Sequence, residues 1–395
     1  MSTGVESLQN TICTNTDKIN FVSLAEETIL AILIYLNQFD IMNIRLLNKK
    51  LNRIGSIKLF SSIYVYLPEF TTLEQGLSKS KTIYWSFFID YTSITGYNNF
   101  KKLIDTKQLS LVRNVVLWIN NPNEYSDYCY NYLIQNCPWV DVGVDSYNHK
   151  MFKQQFARLD KISLLSLHSE YLFHINIEEN FSIRELYIIG KRRESRDPFS
   201  LIPKLKGLTL LYIDDNGDKD MIDDFNKWNI SGLKLKTLGL HVSKVALKEL
   251  DKVFVLDEIV SFELHFVDNV KPYKDLKWLC SQMKKLRIIH ITGHKLSFEK
   301  VMHELSGHRL YQICLEKYGP VRKKITADKI EQLLSGHDSV TRFEIRIDCL
   351  PFTVLDCRNI YIDRPPETNK FKTKDLNYKH KTFPNTKIVI AHMNV

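Results

Sequence analysis

Six side chains of the kinds that bind zinc lie between residues 280 and 314: Cys280, His290, His294, His303, His308 and Cys314. His290 and His294 stand four apart, which on a helix would aim both rings at one metal. The local pattern Leu286-Arg-Ile288-Ile-His290-Ile291 is that of a strand, however, and Gly293 interrupts a helix. On a strand the two rings do not converge, so no metal and no cofactor are expected. Phosphate-cradling glycine loops and the Gly-x-Ser-x-Gly elbow are also missing from the sequence. No catalytic residue and no enzyme activity are expected. What remains is recognition chemistry. Trp118, Tyr187 and Tyr361 and the arginines Arg287, Arg342 and Arg346 are the residue types that dominate binding hot spots, and His241, His265 and Lys285 share their pattern positions. An arginine fork suits carboxylate or phosphate groups, so an acidic or phosphorylated protein segment is the expected ligand. Glu263, Glu316 and Glu344 share the same pattern positions and would partly neutralise the patch.

Those residues form one surface only if a repeat aligns them. An apolar-x-x-apolar-x-apolar hexad recurs after residue 110. Copies are Ile183 to Ile188, Leu205 to Leu210, Leu235 to Leu240, Ile259 to Leu264, Met283 to Ile288, Leu310 to Leu315 and Val340 to Ile345. Weaker copies start at Cys137, Leu159 and Cys357, with outer ones near Val115 and Ile388. The steps centre on the mid-twenties, with outliers of 30 and 17. The hexad's alternation is that of a short strand. Segments such as Tyr125 to Asn136, Val245 to Val255, Tyr273 to Met283 and Thr326 to Leu334 have helical composition. Strand plus helix at this period is the pattern of leucine-rich repeats, whose units bury their apolar faces by stacking. The positions between the hexad's apolar residues then face the concave side of a curved array.

Before the repeats lies a different unit. Ser23 and Glu26 have capping-box spacing. Ile29, Ile32, Leu33 and Leu36 share one helical face, and Leu30 and Ile34 lie on another. A helix apolar on two faces needs two covers. Asp40 is expected to cap a second helix with Ile41, Ile44, Leu47, Leu51 and Ile54 inward.

Leu24-Ala25-Glu26, the aliphatic run ending Tyr35-Leu36, Asp40, and Ile44-Arg45-Leu46 followed by basic residues and Leu51 together resemble an F-box. Ala25 stands where that family usually has proline, and its closing tryptophan is missing. With the repeats, the chain resembles the F-box/leucine-rich-repeat substrate receptors of SCF ubiquitin ligases. The resemblance implies that Leu24, Ala25, Ile29, Ile32, Leu33, Leu36, Asp40, Ile44, Leu46 and Leu51 dock a Skp-type adaptor, and through it a cullin ligase. It implies that the repeats hold a protein target for ubiquitin-dependent degradation. Two other readings stay open: an F-box protein of a Skp-containing structural or DNA-bound complex, and a plain repeat scaffold.

The expected fold is therefore α/β, an N-terminal helical F-box followed by a curved solenoid of about eleven or twelve irregular repeats. The expected divisions are a disordered tail at 1–19, the F-box at 20–66, a connector packing on the first repeat at 67–110, and the array at 111–395. Lys191 to Arg196 and the lysines from Lys370 onward read as solvated basic loops. The net charge is +9, nearly all of it beyond residue 66, which leaves nucleic acid an open but disfavoured partner. The longest charge-free apolar run, Ile29 to Leu36, is far short of the roughly 18 residues of a membrane span. Seven scattered cysteines without a Cys-x-x-Cys pair point to the cytoplasm or nucleus.

Overall fold

The N-terminal apolar periodicity folds as three helices rather than two. They are α1 (Glu26–Leu33), α2 (Gln38–Arg45) and α3 (Lys49–Ser61). The chain breaks at Leu46 and Leu47, whose amides bond back to Asn43 and Ile44 at 3.2 and 3.1 Å. Asn48 then caps α3, its side chain accepting from the Leu51 amide at 2.9 Å. An asparagine that can cap a new helix competes with continuing the old one. Asp40 is thus not a cap: α2 begins at Gln38 and Asp40 falls in its first turn. Ser23 does not stand at the cap position of α1 either, since that helix begins at Glu26. It closes a 3-10 turn, Ile29 bonds back to the Ala25 carbonyl at 3.0 Å, and Glu26 pairs with Arg53 of α3. The Lys50 ammonium donates to the Val22 and Leu24 carbonyls at 2.9 and 2.8 Å, tying the leading segment to α3. Gly55 lets α2 and α3 approach, since a Cβ there would meet Arg45 Cγ at 2.6 Å.

The structure, a computed structural model, describes residues 21–33, 36, 38–67, 91–119, 124–146, 162–168, 182–189, 198–215, 220–242, 245–266, 273–294, 296–317, 326–348, 361–362 and 375–393. The tail, the basic run from Lys191 to Arg196 and Lys370 to Lys374 lie outside them.

Ser61 runs directly into β1 (Ser62–Leu67). There follow β2 (Thr92–Thr95), β3 (Asn114–Ile119), β4 (Asp141–Ser146), β5 (Ile162–His168), β6 (Glu185–Ile189), β7 (Leu210–Asp215) and β8 (Thr237–Val242). The series continues with β9 (Ser261–Phe266), β10 (Ile288–Gly293), β11 (Gln312–Lys317), β12 (Arg342–Asp348), β13 (Tyr361–Ile362), β14 (Asp375–Lys379) and β15 (Lys387–Met393). All belong to one sheet of 15 strands, ordered β13-β14-β15-β12 and then stepwise down to β3-β1-β2. Every pairing from β2 to β15 is parallel; β14 and β13 close that end antiparallel. The residue before each strand repeats one bond: Lys236 to Thr209, Val260 to Lys236, Arg287 to Val260 and Tyr311 to Arg287, at 2.7–2.8 Å.

Helices α4 (Tyr97–Asp105), α5 (Glu124–Asn136), α6 (Met221–Lys227), α7 (Tyr273–Gln282), α8 (Phe298–Glu304) and α9 (Ala327–Leu334) return the chain between strands. Pro198–Lys204 and Leu247–Lys252 do so as 3-10 turns, the latter where the composition read as helical. Their apolar sides and alternate strand residues form one continuous core, from Ile63 in β1 to Ile388 in β15. Phe199, Phe225 and Phe254 meet edge to face at 4.8 and 5.4 Å, stitching successive repeats. This is an α/β repeat solenoid. Each strand buries its inward residues only by stacking on neighbours.

Two boundaries move. The sheet starts at Ser62, inside the stretch expected to be F-box, because Ile63, Val65 and Leu67 alternate inward and continue the β3 ladder. The expected connector supplies β2, which adds a strand outside β1. Several hexads shift by two or three residues. In β7 the inward pair is Leu211 and Ile213, so the run from Leu186 through Leu211 to Leu238 steps by 25 and 27. In β10 it is Ile289 and Ile291, not Leu286 and Ile288. Apolar residues three apart, such as Met283, Leu286 and Ile289, fit the hexad in more than one register. A bulge at Val142/Gly143 turns Leu164 outward and Leu165 inward. Of the copy expected from Cys357 only Tyr361 and Ile362 are among the described residues, where they form β13 on the antiparallel edge, and Ile388 stacks directly against Phe343.

Candidate functional site

Two surfaces bear on function. The first is the helical unit. Its inner side is filled by its own residues: Ile29, Leu33, Ile41, Leu51, Ile54 and Leu59 are buried together, with Leu24, Leu36 and Ile44 packed against them. Phe60 touches both this cluster and the solenoid core, so the unit is seated on the sheet. Of the expected adaptor residues, Leu24, Ile29, Leu33, Leu36, Ile44 and Leu51 therefore face inward. Ala25, Ile32 and Leu46 face solvent, and the side chain of Asp40 lies outside the described set. Leu46 is 84% exposed and Leu47, expected to point inward, is 70% exposed. Met42, one turn before Leu46, is also exposed. The break before Asn48 is what throws Leu46 and Leu47 outward. A continuous helix would have buried Leu47.

The second surface is the sheet face turned away from the helices. Its β1–β7 half is apolar: Val116, Leu164, Tyr187, Ile189 and Tyr212 form a cluster of their own, with Tyr64 and Tyr91 beside them. Tyr187 is fully buried there, its ring 5.8 Å from Tyr212. Gly239 stands opposite Tyr212, and a Cβ would overlap that ring. Trp118 holds the register position opposite Tyr66; its side chain, like that of Tyr361 in β13, lies outside the described set.

From β8 to β12 the same face is polar. Asp214 in β7 reaches His241 at 3.2 Å, the His241 and His265 ring centres lie 3.7 Å apart with their planes tilted by 49°, and His265 bonds to Thr292. Beside them runs an alternating chain of charge. Arg342 meets Glu344 at 3.2 Å; Arg346 Nε meets Glu344 at 2.8 Å and its Nη1 meets Glu316 at 3.4 Å. Glu316 is 3.2 Å from His290 Nε2, and Glu263 is 3.1 Å from His290 Nδ1. The last contact is at ion-pair distance but out of line for a hydrogen bond. Glu263, His290, Glu316, Glu344 and Arg346 are all buried, while Arg342 is half-buried.

Burial and the neighbouring groups set the protonation states between them. Burial and the neighbouring His241 push His265 down to about 3, which keeps it neutral. Burial also opposes charge on His290, but Cys314 and Glu263 outweigh it and hold the imidazole well above its ordinary value. Burial works against Glu344 too, yet Arg346 and Arg342 hold its carboxyl below the usual range. With His290 protonated, three carboxylates face two guanidiniums and one imidazolium, and the chain of charge is balanced.

The expected stripe of Lys285, Arg287, Arg342 and Arg346 is therefore not one surface. The register shift in β10 leaves Lys285 and Arg287 in the turn before the strand. Lys285 pairs with Glu258 at 2.7 Å. The strand instead presents His290 and Thr292. Arg346 is spent within the sheet face. Glu263, Glu316 and Glu344 do lie where their pattern positions place them. Of the six zinc-type residues, only His290 and Cys314 are opposite each other on neighbouring strands. Among the described residues no three His, Cys, Asp or Glu side chains form a group that could hold a metal ion. None of the described helices is long and apolar enough to cross a membrane.

No protein-family model matches the sequence. The curated proteins give no match either. Among solved structures, the chain is similar to one in the crystal structure of the Rad7 and Elc1 complex from yeast, at 11% identity and a TM-score of 0.43. That likeness covers 89% of this chain and 93% of the other.

Proposed function

We propose that the chain is the substrate-recognition subunit of an SCF-type ubiquitin ligase, a non-catalytic receptor that docks a Skp adaptor and holds a protein target on its repeats. One observation carries this reading. The helical unit fills its inner side with its own core and still exposes Ile32, Met42, Leu46 and Leu47, while its last helix runs without a break into a parallel repeat sheet. Exposed leucines on an otherwise complete core are a docking surface in need of a cover. The ligase would gain from the receptor by raised local concentration of its target.

The test is affinity purification of the tagged full chain followed by mass spectrometry. Skp and cullin subunits together support the ligase reading. Skp without cullin favours a non-ligase Skp complex, and neither protein removes the adaptor reading. Leu46→Asp with Leu47→Asp should abolish capture. Each leucine forfeits about 1.5–3 kcal/mol of burial, so the pair weakens binding about a hundredfold or more.

A further inference from the structure

The helix side of the solenoid carries an aromatic ridge. Tyr125, Tyr128 and Tyr132 stand at i, i+3 and i+7 on α5, so they form one stripe about 10 Å long. Tyr97, at the start of α4, closes against it from the neighbouring helix. Its ring centre lies 4.9 Å from that of Tyr125 and, edge on, 5.4 Å from that of Tyr128, which stacks on Tyr132 at 5.9 Å. Tyr97 and Tyr132 also pack against the solenoid core, which anchors the ridge. Tyr125 and Tyr128 stand above them, 48% and 40% exposed. Among the described residues no other helix exposes two large aromatic side chains.

Charge sets this helix apart as well. The chain carries a net charge of +9, yet from Asn114 to His149 it has no Lys or Arg, against Glu124, Asp127, Asp141 and Asp145. Each of α4 and α6 to α9 has at least one lysine, whereas α5 has none and opens on Glu124 and Asp127. On α4, Lys101 and Lys102 stand with Asp105. Burial raises the Tyr132 phenol above its ordinary value, and Cys137, Tyr128 and Asp105 act in the same direction, so Asp105 borders the ridge. Elsewhere on this side the chain places its own lysines over aromatic rings: Lys227 Nζ lies 5.4 Å from the centre of Trp228 and Lys300 Nζ 5.9 Å from that of Tyr273. The repeat around α5 contains no such cation. Carboxylates beside tyrosine rings suit a cation, and a guanidinium can lie on a ring face while it pairs with a carboxylate. A phosphate chain would meet like charge here.

We infer that this ridge docks an extended, arginine-rich segment of a partner protein, its guanidiniums on the rings of Tyr125 and Tyr128 with Glu124 and Asp105 as countercharges. An extended segment covers the stripe in about three residues. The surface uses none of the exposed leucines of the helical unit, and the binding needs no adaptor.

The test uses the purified full-length chain and four fluorescein-labelled ten-residue peptides built on glycine and serine. One carries three arginines, one three citrullines, one three lysines, and one six prolines and no charge. Fluorescence anisotropy at about 150 mM salt, which screens long-range attraction, is the readout. The arginine peptide should bind about tenfold tighter than the citrulline peptide, the ratio of two exposed cation–π contacts, and more tightly than the lysine peptide. Tyr125→Gln with Tyr128→Gln should remove that tenfold, while Tyr125→Phe with Tyr128→Phe, which keeps the rings, should retain most of it. Glu124→Lys leaves the tyrosines in place and should also weaken binding. Tyr311→Gln changes an equally exposed tyrosine elsewhere and should have no effect. Any of five results overturns the proposal: no binding of the arginine peptide, equal affinity for the citrulline or lysine peptide, undiminished binding by both the folded Tyr125/Tyr128 glutamine variant and Glu124→Lys, equal loss in Tyr311→Gln, or tighter binding of the proline peptide. Each is independent of whether the chain captures Skp, so failure here leaves the receptor reading standing.

Discussion

Replacing Arg346 with methionine should loosen the β10–β12 face locally, because it takes one of two cationic partners from each of two buried carboxylates. Arg346 is 5% exposed and serves Glu344 at 2.8 Å and Glu316 at 3.4 Å. Methionine keeps much of the aliphatic volume and removes only the charge and its donors. Breaking a buried ion pair from one side costs about 3–5 kcal/mol. Glu344 retains Arg342 and Glu316 retains His290, so the lower half of that range is expected. Adding Glu344→Gln to Arg346→Met removes one stranded charge. The double variant should therefore cost less than the sum of the two single changes, by about 1–3 kcal/mol. Long repeat arrays need not unfold as one unit, so native-state hydrogen exchange of peptides spanning β10–β12 is the suitable assay, with urea melts beside it. Full additivity of the two substitutions, or an Arg346→Met chain exchanging like the parent, would refute the network. Charge reversal at Arg346 would therefore test folding and target binding together, and so is a poor probe of recognition.

The remaining expectations are briefer. His290 is held above its ordinary value, so its contribution is fully present below about pH 6.5 and lost as pH rises through the raised native value. The penalty of His290→Gln in urea midpoints should accordingly be largest near pH 6 and shrink toward pH 9.5; a constant penalty contradicts the assignment. Glu344 is depressed, so its contribution holds above about pH 4.3 and fades as acid approaches its native value. Gly239→Ala should destabilise by about 1–3 kcal/mol by forcing the Tyr212 ring aside; an unchanged melting temperature would show that the ring has room to move.

Much of the fold was legible because it is periodic. Alternating residues such as Leu238 and Leu240, or Phe262 and Leu264, fix which side of a strand is buried, and the step between them fixes a stacked array. Register was less legible. Leu205, Leu208 and Leu211 satisfy the same spacing, as do Met283, Leu286 and Ile289, and only pairing with neighbours chooses. That choice moved Arg287 from the sheet face to the turn before β10. It also brought forward His290, whose membership of a strand was clear but whose two glutamate neighbours come from other repeats. In the helical unit the inward residues followed from periodicity. Leu47 was misplaced because the break before Asn48 depends on a side-chain cap that hydrophobic spacing does not report.

The most direct test of the receptor reading is co-elution of the full chain with a purified Skp adaptor on size exclusion. The parent chain should form a one-to-one complex with it. A folded Leu46→Asp/Leu47→Asp variant should elute alone. Equal complex formation by that variant, or no complex with the parent chain, would contradict the assignment of the exposed helical face.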